Sequence, residues 1–118
     1  MGTERVTVLL VEDEEMVRDL TKEILESHGF SVLTAAGGLE AMWVLQREAG
    51  RIELLITDLA MPDMGGIELV RRARAIRPDL SILYLSGSTP EQPGDAPFLE
   101  KPYTIDGLIT AVSAALPR

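Results

Sequence analysis

Four short apolar runs in this chain each lead into residue types that can hold a metal ion or take part in group transfer. Residues 6–11 (VTVLLV) are followed by Glu12 and Asp13, and residues 54–57 (LLIT) by Asp58. Residues 82–85 (ILYL) are followed by Ser86, and Phe98 and Leu99 lead through Glu100 to Lys101 and Pro102. If the runs are neighbouring parallel strands, three carboxylates, a hydroxyl and an ammonium meet at one sheet edge. An aspartate there needs no proton removed at neutral pH to attack a phosphoryl donor and form an acyl phosphate. The obstacle is charge, because an anion attacking a phosphate needs cations at the transferring oxygens. Mg²⁺ supplies two charges and takes about six oxygen ligands near 2.0–2.1 Å. Glu12, Asp13 and Asp58 can offer carboxylates, with a backbone carbonyl and waters completing the shell. Without a cation, each acid pair at ~4 Å repels by roughly 4 kcal/mol at an effective dielectric of ~20. Lys101 offsets part of that cost and can bind a phosphoryl oxygen. Ser86 can donate a hydrogen bond to another.

The elements needed to position these groups alternate along the chain. Strand patterns fall at 5–11, 31–35, 53–57, 81–85 and 97–99. Helical patterns fall at 14–27, 39–48, 67–76 and 105–116. Alternation of this kind predicts a parallel sheet covered on both faces. In the first helix Val17, Leu20 and Ile24 form the expected inward stripe. Glu12 and Asp13 are candidate caps for that helix, and Gly29 its stop. In the second helix Ala41, Met42, Leu45 and Ala49 are expected inside, with Trp43 on the opposite face. Pro78 ends the third helix at Arg77. Thr104 is the expected N-cap of the last helix, whose inward stripe is Ile105, Leu108, Ile109, Val112 and Leu116. Between Ser86 and Phe98 the pattern fails. Pro90, Pro93 and Pro97 crowd this stretch, at ~3 kcal/mol for each proline in a helix interior. A loop with at most one helical turn is expected there.

Bulk properties narrow the function classes. A chain of 118 residues makes one domain, residues 1–118, with room for a core. The net charge of −8 argues against nucleic-acid binding, which needs a basic face. There is no cysteine, hence no disulfide framework or thiolate site. No stretch has the length of a membrane span and no signal peptide is visible, so a cytoplasmic location without membrane contact is expected. The sequence reaches Pro117-Arg118 directly after the last helical pattern, and no effector domain is expected within it. His28 reads as a solvated helix-end residue. Arg71, Arg72, Arg74 and Arg77 complement the third helix's C-terminal dipole and read as a solvated face.

In their order and spacing, Leu9-Leu10-Val11-Glu12-Asp13, Asp58-Leu59-Ala60-Met61-Pro62, Ser86-Gly87 and Lys101-Pro102 resemble the response-regulator receiver domain (CheY-like). The resemblance covers nearly the whole chain. It implies a flavodoxin-like, doubly wound five-stranded parallel sheet of order 2-1-3-4-5. The Pro-rich stretch stands where the family's fourth helix would be. The resemblance also implies that Asp58 accepts a phosphoryl group from the phosphohistidine of a histidine kinase or histidine phosphotransfer protein. Mg²⁺ (or Mn²⁺) would be held by Glu12, Asp13, Asp58 and the Ala60 carbonyl. Ser86 would be the hydroxyl switch, Phe98 the rotating aromatic, Lys101 the phosphate partner, and Lys101–Pro102 a cis peptide. The implied output is a switch in protein–protein interactions. Phosphorylation is expected to alter the order of residues 87–96. As an enzyme the isolated domain would show at most self-phosphorylation and autodephosphorylation. Leu85-Ser86-Gly87 is similar to receivers attached to hybrid sensor kinases, which favours a piece of such a kinase or a single-domain shuttle.

Two other functions remain to be weighed. A pseudo-receiver would bind protein without phosphorylation, but the full acid, aspartate, serine and lysine set argues against it. A flavin or nucleotide binder on this fold needs a Gly/Ser/Thr-rich loop after the first strand. The sequence there is Glu12-Asp13-Glu14-Glu15, which repels phosphate unless a metal intervenes.

Overall fold

In the computed structural model, which describes residues 5–87 and 96–117, five strands form one parallel sheet of order β2-β1-β3-β4-β5. The strands are β1 (Thr7–Val11), β2 (Ser31–Ala35), β3 (Ile52–Asp58), β4 (Ser81–Ser86) and β5 (Phe98–Glu100). The described helices are α1 (Glu15–Ser27), α2 (Gly38–Glu48), α3 (Gly66–Ile76) and α4 (Ile105–Ala115). This is the doubly wound, flavodoxin-like arrangement that the resemblance implies, and its parallel sheet is the one expected from the alternation of patterns. The Pro-rich stretch predicted as a loop between Ser86 and Phe98, and the change in order predicted over 87–96, fall largely on 88–95, which lie outside the described residues.

The sheet is covered on both faces, which is why its central strands read as unbroken apolar runs. On one face Leu9, Val11, Leu55 and Ile82 pack with Ala41 and Leu45 of α2 and Leu69 and Ala73 of α3. On the other, Val8, Leu10, Ile56 and Leu83 pack with Leu25 of α1 and Leu108 and Val112 of α4. Gly29 follows His28, the C-cap of α1, at φ 94°, a left-handed conformation that favours glycine. His28 is exposed there, as expected.

Three sequence expectations need correction. In α1 the buried residues are Thr21 and Leu25, while Leu20 is 59% exposed and Val17 and Ile24 are half-buried. At 100° per residue, Leu20 lies roughly 120° from the midpoint of Thr21 and Leu25. A polar residue at the centre of the buried face hid the true phase. Ile105 is 53% exposed because it opens α4 before the helix has turned onto the sheet. Arg77 is not simply a solvated arginine. Its Nη1 donates to the carbonyls of Ala49 (2.9 Å) and Ile52, tying the end of α3 to the turn before β3.

Other expectations hold. Thr104 caps α4 by accepting from the Gly107 N–H at 2.9 Å. Trp43 faces outward, 59% exposed, with the Arg47 guanidinium 4.7 Å from its ring centre. Arg71 and Arg72 pair with Glu68 on the surface of α3. The strand ends run slightly further than the sequence pattern indicates, so that β3 includes Asp58, β4 includes Ser86 and β5 reaches Glu100.

Candidate functional site

Strand register brings the candidate residues together stepwise. Val11 pairs with Thr57, so Glu12 and Asp58 both stand one step beyond that pair. Neighbouring strands lie about 4.8 Å apart, which places the two acids side by side. Asp58 in turn pairs with Leu85, and Ser86 follows. Ser86 pairs with Glu100, and Lys101 follows. β3 ends one step past β1 and β4 one step past β3, while β5 ends level with β4, so the edge climbs from Glu12 to Ser86 and Lys101 follows beside it.

At this edge Lys101 Nζ lies 2.7 Å from Glu12 Oε1 and 2.8 Å from Asp58 Oδ1. Glu12 and Asp58 are buried, at 1% and 5% exposure, while Asp13 is exposed. Carboxylate oxygens of Glu12, Asp13 and Asp58 lie within 4.8 Å of one another. A cavity of about 260 Å³ is bounded by these three acids, Ala60, Gly87 and Lys101. Ser86 is buried at 2% exposure, and its carbonyl accepts from the Lys101 N–H at 2.7 Å. The cavity wall at that point is formed by its neighbours Leu85 and Gly87. Phe98 is half-buried at the start of β5, paired with Tyr84 and packed against the core on the α2/α3 face. It does not border the cavity. Lys101–Pro102 is cis, as expected.

The electrostatics follow from burying two acids beside one ammonium. Burial, reinforced by the Glu12 carboxylate, pushes the Asp58 carboxyl up to about 7, although Lys101 works against the rise. For Glu12, burial also acts upward. Hydrogen bonds to Asp58, Lys101 and the Glu14 N–H outweigh it and hold the carboxyl below its ordinary value. Burial alone would lower the Lys101 ammonium, but its contacts with Asp58 and Glu12 carry it above the lysine range. Two buried acids beside one ammonium thus titrate as a pair, with the Glu12 carboxyl pushed down and the Asp58 carboxyl pushed up. The donor set is all oxygen and rich in carboxylate, which suits a hard dication such as Mg²⁺ and not a thiophilic metal.

Several supporting residues escaped the sequence analysis. Arg18 Nη1 donates to the Glu12 carbonyl at 2.9 Å and braces the loop after β1. Glu12 Oε2, not Asp13, accepts the Glu14 N–H at the start of α1, at 3.1 Å. Of the two cap candidates, Glu12 makes this contact. Asp63 accepts from the N–H groups of Gly38 (3.1 Å) and Leu39 (3.0 Å), so the loop after Asp58 caps α2. Those N–H groups, Leu39's first, hold the Asp63 carboxyl below its usual range. Gly66 permits the closest backbone approach, since a Cβ there would stand 2.1 Å from the Asp58 carbonyl oxygen. Of these, Asp63 depends on partners far away in sequence, Gly38 and Leu39.

Comparison with known proteins agrees with this geometry. The family model for the response regulator receiver domain matches residues 8–113. The chain is 36% identical over 119 residues to the sensor kinase CckA of Brucella abortus, covering 95% of this chain and 13% of that protein. It is 36% identical over 116 residues to the response regulator receiver protein CpdR of the same organism, covering 92% of this chain and 95% of CpdR. It spans 26% of the Escherichia coli transcriptional regulatory protein GlrR. Among solved structures, the receiver domain of hybrid histidine kinase CckA superposes with a TM-score of 0.84 at 36% identity, covering 94% of this chain and 99% of that one. The chemotaxis protein CheY4 of Vibrio cholerae superposes with a TM-score of 0.87 at 30% identity, covering 96% and 100%. With its carboxyl-edge acids, its lysine and its strand order in place, the chain belongs to the response regulator receiver domain family of two-component signalling.

Proposed function

We propose that Asp58 is the phosphoryl acceptor of this receiver domain and that Glu12, Asp13, Asp58 and the Ala60 carbonyl hold Mg²⁺ (or Mn²⁺) beside it. The observation that carries the reading is the convergence of three carboxylates and the Lys101 ammonium on one cavity at the carboxyl edge. The bound cation would supply positive charge for the transferring oxygens. An Asp58 oxygen attacks phosphorus, the new O–P bond forms, and the P–N bond to the donor imidazole breaks. The donor ring carries a proton on its other nitrogen, so the departing nitrogen keeps the bonding pair and neutral imidazole is released. Lys101 gives up part of its contact with Asp58 to meet one phosphoryl oxygen. Ser86 donates to another, and Phe98 is the aromatic that follows the hydroxyl.

The donor is a histidine kinase or histidine phosphotransfer protein. An apolar groove of about 590 Å³ adjoins the cavity and shares Lys101 and Gly87 with it. Its walls include Leu20 and Ile24 of α1 together with Tyr103 and Ile105, and it offers such a protein a surface next to Asp58. A place within a larger hybrid kinase and a free-standing shuttle are both consistent with the lengths of the relatives. The test is incubation with acetyl phosphate or a phosphorylated histidine donor, with and without Mg²⁺. A gain of one phosphoryl group by intact mass is expected only with Mg²⁺ and is lost in Asp58→Asn. Labelling that persists in Asp58→Asn would overturn the assignment.

A further inference from the structure

Lys101 reaches two buried carboxylates, so its main chain must be held on both sides. On the upstream side its own N–H donates to the Ser86 carbonyl at 2.7 Å. On the downstream side Pro102 has no N–H to give. The next anchor is the side chain of Tyr103, whose Oη lies 2.8 Å from Thr21 Oγ1 of α1, 82 residues away in sequence. Thr21 is 2% exposed, in the middle of the buried face of α1. The Tyr103 ring packs against the core on that same face, and burial raises its phenol above the ordinary value. A hydroxyl pair of this kind is directional, whereas ring packing alone would let the segment slide.

We infer that Tyr103 is a positioning residue: through its hydrogen bond to Thr21 it fixes the segment that aims Lys101 at Asp58. The inference rests on the phosphoacceptor reading of Asp58 and extends it to how the lysine is held. Neither Tyr103 nor Thr21 lies among the carboxylates that would hold the metal. Loosening the pair should therefore weaken binding of a phosphoryl group at Asp58 and leave metal binding intact. Tyr103→Phe keeps the ring, and the Thr21 hydroxyl can turn to a carbonyl of its own helix, so the fold should survive.

The experiment measures Mg²⁺ affinity, and then beryllofluoride affinity in saturating Mg²⁺, for the full chain. Tyr103→Phe and Thr21→Val are each expected to weaken beryllofluoride binding about tenfold with Mg²⁺ affinity unchanged, as supporting-residue losses generally run. Thr21→Ser, which keeps the hydroxyl, should bind like the parent. In a Lys101→Gln background Tyr103→Phe should cause no further loss. Parent-like beryllofluoride binding by Tyr103→Phe, a parallel fall in Mg²⁺ affinity, or an undiminished loss in the Lys101→Gln background would each overturn the inference. Failure of the parent itself to bind beryllofluoride would instead overturn the phosphoacceptor reading beneath it.

Discussion

The two faces of the sheet meet at Asp58 but are built differently. On the α2/α3 face the site is clasped. Gly66 lets α3 come against the Asp58 backbone, Asp63 caps α2, and Gly38 lets Met64 pack where any Cβ would stand 2.6 Å from it. On the α1/α4 face the cover is incomplete. Leu20 and Ile105 are exposed along a groove that opens beside Lys101. The difference teaches that rigidity and access are assigned to opposite sides of one carboxylate. The closed face fixes where Asp58 is, and the open face carries the groove proposed for a partner, beside Lys101.

Substitutions on each side can break or sharpen that contrast. The largest effect is expected from Gly66→Ala. Its Cβ would collide with the Asp58 carbonyl, so α3 must shift, at a cost of about 3 kcal/mol in chemical denaturation. Acceptance of phosphoryl by Asp58 should fall with it.

Next is the pH dependence of Mg²⁺ affinity, which reports how deeply Asp58 is enclosed. The metal needs the ionised carboxylate, and Asp58 holds its proton up to about 7. Affinity measured by titration calorimetry should fall about tenfold, or about 1.4 kcal/mol, for each pH unit below 7 and level off above it. The linked stability has the opposite slope in the metal-free protein. Between 3.8 and about 7 the folded state binds more protons at Asp58 than the unfolded state does. That contribution therefore declines as pH rises through the window. Glu12, held below its ordinary value of 4.5, acts in the other direction only at lower pH. Metal-free thermal stability should thus be higher at pH 5.5 than at pH 8, and Mg²⁺ should erase the difference.

Asp63→Ala removes the cap that the Asp58 loop places on α2, and should cost about 1 kcal/mol. It should also loosen the Ala60 carbonyl, seen as weaker Mg²⁺ binding. The smallest effect on stability belongs to the open face. Leu20→Glu should change unfolding free energy by no more than about 0.5 kcal/mol. It should slow transfer from a protein phosphodonor while leaving labelling by acetyl phosphate unchanged. Equal slowing with both donors would remove the groove from the account.

The closed and open faces were not equally legible in the sequence. Strand positions were, because buried parallel strands leave apolar runs that lead to Glu12, Asp58, Ser86 and Lys101, and the sheet order was implied by the resemblance those motifs carry. The clasp on the closed face was not. Asp63 caps a helix that starts 25 residues earlier, and Arg77 ties back to Ile52, contacts that local periodicity cannot encode. The phase of α1 was misread for a related reason. Thr21 is polar yet buried, and its partner Tyr103 lies near the other end of the chain. A pattern drawn from apolar residues alone placed Leu20 inside, when it borders the groove.

The central claim is that the buried, Lys101-paired Asp58 is the single acceptor of a Mg²⁺-dependent phosphoryl transfer. Its most direct test is intact-mass and peptide mapping of the chain after exposure to acetyl phosphate. The account predicts one hydroxylamine-labile phosphoryl group on Asp58, present with Mg²⁺, absent with chelator, and absent in Asp58→Asn. Modification at another residue, or equal labelling of Asp58 without divalent metal, would contradict it.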